Sequence, residues 1–318
     1  MALTDQANVT SQLAAILIGA VATFVLFAAS LAVPPVGFLS GMLAPYPVMY
    51  FRFKQGRSVS LCIVLAALVG LVSAFGGHVA VTYLMQCGVI ALVLPELLLR
   101  GLGGGRSIAW TTACNLALLV VVAVAYAQAA GQNLHHLVTA EIKSSIAQAV
   151  TLYEKSGVKG DELNLVKQTM NLAADLAVRM YPALVTILVM SVAGCNLALL
   201  RRPAERMGLK LALGEFAAFR LPDLTVWVLI ASGFAMLAGT PLVTTPALNV
   251  LIVVLTLYFL QGLAVISTLF ARQPFGGMLK VGLYLMLLIQ PYLAAVIAAV
   301  GIFDLWGNFR TPKQQENL

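Results

Sequence analysis

Nine apolar stretches decide what this chain can become. They lie at 12–33, 34–53, 59–76, 79–99, 107–130, 178–200, 223–240, 246–271 and 279–303. Each meets or approaches the roughly 20 residues that carry a helix across a bilayer. In lipid every backbone N–H and C=O must bond within the protein, which an α-helix achieves segment by segment. The composition agrees: 61% of residues are apolar and 10% charged, against about 25% charged in soluble domains. With 19 basic and 12 acidic side chains in 318 residues, a water-soluble fold could not clothe its surface with charge. The expected fold class is therefore all-α: a polytopic transmembrane helix bundle of eight or nine spans, one transmembrane domain over 1–318. The count turns on the second stretch. Pro34, Pro35, Pro45 and Pro47 break its helical ladder, which reads as a re-entrant or half-spanning piece.

The net charge of +7 would raise nucleic-acid binding in a soluble chain. Here the basic residues sit in connections between apolar runs, where they orient helices, so no nucleic-acid partner is expected. Arg52, Lys54 and Arg57, then Arg100 and Arg106, then Arg201, Arg202, Arg206, Lys210 and Arg220, then Arg272 and Lys280 all fall on one side if every run spans. That side is the cytoplasm. The N-terminus is then inside and the C-terminus outside, with Arg310 and Lys313 pulling mildly the other way. The first run lacks a basic leader and meets Pro34-Pro35, so it reads as a retained span rather than a cleaved signal.

Two segments do not read as spans. Residues 131–177 are polar, yet Leu134, Val138, Ile142, Ile146, Val150 and Tyr153 recur every three or four positions. Glu154 to Gly160 breaks that pattern and Asp161 is placed to cap a second helix, which runs on into the sixth span. This predicts an extracytoplasmic helical hairpin, either a solvated cap or an arm that docks other membrane proteins. The segment 201–221 mixes charge with Leu209, Leu213, Phe216 and Phe219 and predicts a cytoplasmic interfacial amphipathic helix, anchoring the bundle to lipid or gripping a partner.

Polar groups within apolar runs need a reason. Glu96 precedes Arg100 by four residues, the favourable order for a structural ion pair. Glu96-Leu-Leu-Leu-Arg100 echoes an intramembrane protease motif, but Pro95 replaces its first glutamate and His78, His135 and His136 lie outside the spans. Asp223 follows Pro222 at a helix start, where its carboxylate can cap free N–H groups, and Trp227 follows. Asn249, Gln261 and Gln290 are amides in apolar helices that must find partners. They bond between helices or, with Asp223 and Trp227, line a small polar substrate cavity. Asn115 and Asn196 add further buried amides. The turn at 101–106 lacks the lysine of a phosphate loop. The four cysteines are widely spaced, with no metal-ligand pattern. No catalytic set, metal or cofactor is expected, and the chain is read as no enzyme. Asp304 and Arg310, spaced around Trp306 and Phe309, predict an ion pair at the membrane surface.

Phe219-Arg-Leu-Pro-Asp-Leu-Thr-Val-Trp227, Asn249, Tyr258-Phe-Leu-Gln-Gly-Leu-Ala-Val-Ile266 and Gly301-Ile-Phe-Asp-Leu-Trp-Gly-Asn-Phe-Arg310, with Pro45-Tyr-Pro47 before Arg52 and Gly56, resemble the YybS-like bacterial membrane family, a domain of unknown function. That resemblance implies a bacterial cytoplasmic membrane. It also implies a distant likeness to the S components of energy-coupling-factor transporters, which bind a small molecule and work with an energy-coupling membrane subunit and an ATPase. The other role it implies is that of a non-catalytic membrane scaffold of MreD type.

Overall fold

The computed structural model describes residues 2–32, 36–157, 159–272, 282, 286, 290, 292–307 and 309–310. Pro34, Pro35, Lys280, Lys313 and most of 279–291 lie outside the described residues, among which there is helix and no strand. Six described helices are long and apolar enough to cross a membrane: Val9–Ala32, Arg57–Phe75, Gly77–Leu99, Gly104–Ala129, Asp161–Arg206 and Pro241–Ala271. Thr225–Ala238 and Tyr292–Gly307 are apolar but shorter. The chain forms two compact units, Met1–Leu134 with Leu188–Leu213, and His135–Ile187 with Gly214–Leu318.

In the first unit, α1 (Ala2–Ala32) is followed by α2 (Val36–Leu43) and α3 (Tyr46–Gln55). Pro45 divides the second apolar stretch into these two pieces. Together they run back along α1 over most of its length. Gln55 donates to the Ser11 carbonyl and hydroxyl at 3.4 Å, a Cβ on Gly19 would meet Phe51, and one on Gly41 would meet Ser30. The proline-rich stretch is thus a broken return path. Gly56 (φ +98°) and Gly76 (φ +91°) then link α3 to α4 (Arg57–Phe75) and α4 to α5 (Gly77–Tyr83). A single residue reverses direction there because glycine alone is unstrained at those angles.

A π-turn, Leu84–Gly88, joins α5 to α6 (Val89–Leu99). The glycine-rich 101–105 closes α6 through Gly101 at φ +81°, with the Leu102 N–H on the Leu97 carbonyl at 3.2 Å, a left-handed helix stop. It opens α7 (Gly104–Ala129), whose first N–H donates to Ala212 O at 3.3 Å. The 201–221 segment departs from the expected interfacial helix. The long helix α9 (Asp161–Arg206) ends as Gly208 turns left-handed at φ +73° and Leu209 N bonds Ala204 O. A second left-handed glycine, Gly214 at φ +64°, keeps 209–215 out of helix. Only the 3-10 turn Phe216–Ala218 follows.

The second unit holds α8 (Leu134–Lys155) from its second residue and the N-terminal part of α9. At about 1.5 Å per residue, its 46 residues exceed by far the roughly 20 that a bilayer needs. Gly157 and Gly160 take positive φ in the turn between the arms. Asn164 N bonds Gly160 O at 3.1 Å, which places Asp161 inside the first turn, favourable to the helix dipole, rather than at the cap. Lys167 and Glu154 pair at 2.7 Å across the arms. Further on, α10 (Thr225–Ala235), α11 (Pro241–Arg272) and α12 (Tyr292–Gly307) follow. Helices α11 and α12 cross antiparallel with almost no gap. A Cβ on Gly262 would run into the Ile297 carbonyl, and one on Gly301 into the Tyr258 carbonyl, the small-residue contact that lets membrane helices close on each other.

Candidate functional site

The three sequence blocks near the C-terminus converge on one side chain. Gln261, on α11, is fully buried. Its oxygen accepts the Leu221 N–H at 2.9 Å, and its amide nitrogen donates to Gly301 O at 3.0 Å and to the Asp304 carboxylate at 3.3 Å. The chain before α10, α11 and α12 are thereby joined at one point. The close α11–α12 approach through Gly262 and Gly301 is what brings Asp304 within reach. Asp304 is 2% exposed and pairs with Arg310 at 3.0 Å. Arg310 also donates to Ala217 O at 2.9 Å, a carbonyl that takes Thr268 as well, at 3.2 Å. The ion pair is sunk beside Gln261 rather than lying at a surface, while Trp306 and Phe309 stay exposed. A buried carboxylate is tolerable because a guanidinium and an amide both face it.

Asn249 does different work. Its Oδ1 accepts the Ala183 N–H at 2.8 Å and its Nδ2 donates to the Arg179 carbonyl at 2.8 Å and to Thr245 O at 2.8 Å. Ala183 N–H and Arg179 C=O are the two halves of one α-helical rung, directly after Pro182, whose ring crowds the preceding turn. One side chain of α11 thus braces α9 beside Pro182. Asn249 and Gln261 are twelve positions apart on one helix, about 18 Å along the axis, and serve separate sites.

The remaining binding candidates do not join them. Trp227 and Gln290 are exposed. Asp223 is exposed, 4.0 Å from Arg220, and α10 has no side-chain cap, so the expected capping bond is not made: Thr225 opens the helix two residues beyond that carboxylate. In the first unit Glu96 sits 2.9 Å from Arg52 and 3.8 Å from Arg100. The i,i+4 spacing pointed to Arg100, whereas the nearer partner comes from 44 positions away and has no local signature. His78, His135 and His136 belong to no metal-holding group among the described residues.

Sequence reasoning missed a groove in the hairpin. It has a volume of about 450 Å³ and runs between α8 and α9, walled by Ile146, Ala147, Val150 and Ala174, with Lys143 and Asp175 toward one end and the Glu154–Lys167 pair at the other. The only available signal was the facing of two alanines, which becomes visible once the arms are aligned. On the opposite side of α9, Leu165, Leu172 and Leu176 are 64%, 61% and 56% exposed. Seven and four residues apart, they form one stripe.

No curated protein and no solved structure matches the chain. A family model described as "Predicted membrane protein (DUF2232)" matches residues 21–305. That match takes in five of the six long apolar helices whole, the second half of the first, and Gln261 with its partners Leu221, Gly301 and Asp304, and by it the chain belongs to this family of predicted membrane proteins.

Proposed function

We propose that the chain is a non-catalytic membrane scaffold or assembly protein of the bacterial cytoplasmic membrane, whose outer hairpin docks other membrane proteins. The observation that carries this reading is the leucine stripe Leu165, Leu172 and Leu176, exposed on the polar part of α9. Apolar side chains grouped on a water-facing surface mark interaction sites. The buried amides support it from the other direction, because Asn249 and Gln261 spend both ends on the protein's own backbone and side chains. The test is a photo-crosslinking side chain at Leu172 in intact cells. Adducts with a defined membrane protein are expected, lost in Leu165→Asp and absent with the probe at Gln148. No adduct at Leu172, with wild-type function in Leu165→Asp, defeats the reading.

One observation favours a second reading, a small-molecule-binding subunit similar to the S components of energy-coupling-factor transporters, working with an energy-coupling membrane subunit and an ATPase. It is the hairpin groove, whose 450 Å³ lies within the usual range for ligand sites. Native mass spectrometry of the purified protein separates the two. A retained small molecule, lost when Ala147→Leu and Ala174→Leu fill the groove, supports binding, and a bare protein supports the scaffold.

A further inference from the structure

Helix α7 presents most of its surface outward, yet one face is both buried and polar. Thr111, Thr112 and Asn115 are 0%, 7% and 1% exposed, and Asn115 stands four and three residues beyond the two consecutive threonines, about 5–6 Å from each between Cβ atoms. The Asn115 amide nitrogen is committed, donating to Met85 O at 2.8 Å. Met85 lies in the π-turn Leu84–Gly88, a helix irregularity common at functional sites. With its nitrogen held, the asparagine presents its oxygen. That oxygen has no protein partner, nor do the hydroxyls of Thr111 and Thr112.

Three adjacent buried oxygens without partners would each cost about 1–3 kcal/mol if left bare. They lie eleven residues or fewer from Gly104, the first residue of α7, hence about 16 Å or less along the axis, near the middle of a hydrocarbon layer of about 30 Å. The donor set selects the ligand. It consists of neutral hard oxygens, with one amide N–H of Asn115 held by Met85 O, and none of the three side chains carries a positive charge to answer an anion. It contains no carboxylate to neutralise a divalent ion. In membrane transporters Na⁺ is held at mid-membrane by neutral oxygens where a helix is irregular, there mostly backbone carbonyls. We propose that Thr111, Thr112 and Asn115, backed by the π-turn, form a binding site for a monovalent alkali cation. This site is independent of both functional readings above, since none of its residues belongs to the hairpin.

The experiment is thermal melting of the full-length purified protein in NaCl, KCl or choline chloride at equal ionic strength. A saturable rise of about 3 °C in Na⁺ or K⁺ over choline is expected. Thr111→Val and Thr112→Val remove hydroxyls that bond nothing in the protein, so each should fold and melt in choline at or above the wild-type temperature while losing the cation-dependent rise. Thr151→Val, on the hairpin, should keep it. An equal melting temperature in all three salts, or a rise that survives both threonine substitutions, overturns the proposal and leaves the oxygens to ordered water. If neither variant folds, binding of radioactive ²²Na⁺ to wild-type protein decides: saturable binding supports the site and its absence refutes it.

Discussion

At the scale of single residues, the polar side chains that stand out in an apolar sequence are mostly fasteners, and they fail in different ways. Replacing Asn249 by Leu removes the two hydrogen bonds that tie α11 to the Ala183–Arg179 rung of α9. Such bonds contribute about 0.5–1.5 kcal/mol each, so Asn249→Leu should melt a few degrees below wild type with its helix content retained, as circular dichroism would show. Arg310 is a harsher case, because its loss strands a buried charge. Arg310→Ala should destabilise by about 3 kcal/mol or more. Adding Asp304→Asn to it removes the stranded charge and should recover much of that loss. A double substitution as unstable as Arg310→Ala alone would show that Arg310 acts by bonding Ala217 rather than by answering Asp304. The importance of Gln261 and Asn249 is legible in the sequence, since an amide in a run such as Tyr258-Phe-Leu-Gln-Gly cannot go unbonded. Their partners are not, because backbone atoms of Leu221, Gly301, Ala183 and Arg179 leave no chemical trace in a string of letters.

At the scale of elements, the α11–α12 crossing and the hairpin follow opposite rules. The crossing is steric. Gly262 and Gly301 let two backbones touch, and Gly262→Leu would push into the Ile297 carbonyl, an overpacking that costs about 1–3 kcal/mol and moves Asp304 away from Gln261. Lower yield of folded protein and a lower melting temperature are expected, and a wild-type melt would mean the helices part easily. The hairpin makes few such demands. No side chain of α8 is buried, so deleting 135–175 behind a short linker should leave membrane insertion unchanged, as carbonate extraction would show. Loss of insertion would make the hairpin part of the membrane core. Helix periodicity revealed both arms of the hairpin. It misjudged 201–221, where the apolar spacing suited a helix but Gly208 and Gly214 take left-handed turns. Local backbone freedom outweighed amphipathic pattern there.

At the scale of the whole molecule, the alternation of spans sets sidedness. Three long apolar helices, Arg57–Phe75, Gly77–Leu99 and Gly104–Ala129, separate Lys54 from Lys167, so an impermeant amine-reactive label on sealed cells should modify Lys167 and spare Lys54 until the cells are opened. Equal labelling of both would mean that one of those helices does not cross.

What the residues alone determine is the solvent. Stretches of about 20 apolar residues have nowhere to lie but lipid, and backbone hydrogen bonding then makes them helices. The all-α class, the hairpin and the need for buried amides to be bonded all follow from one-dimensional pattern. Only the folded chain decides that the proline-rich stretch returns along α1, that Glu96 answers to Arg52, and that Gln261 gathers three distant segments at one point. Those outcomes rest on which backbone surfaces can approach closely enough to share a hydrogen bond, and closeness between residues far apart in sequence is a property of three dimensions.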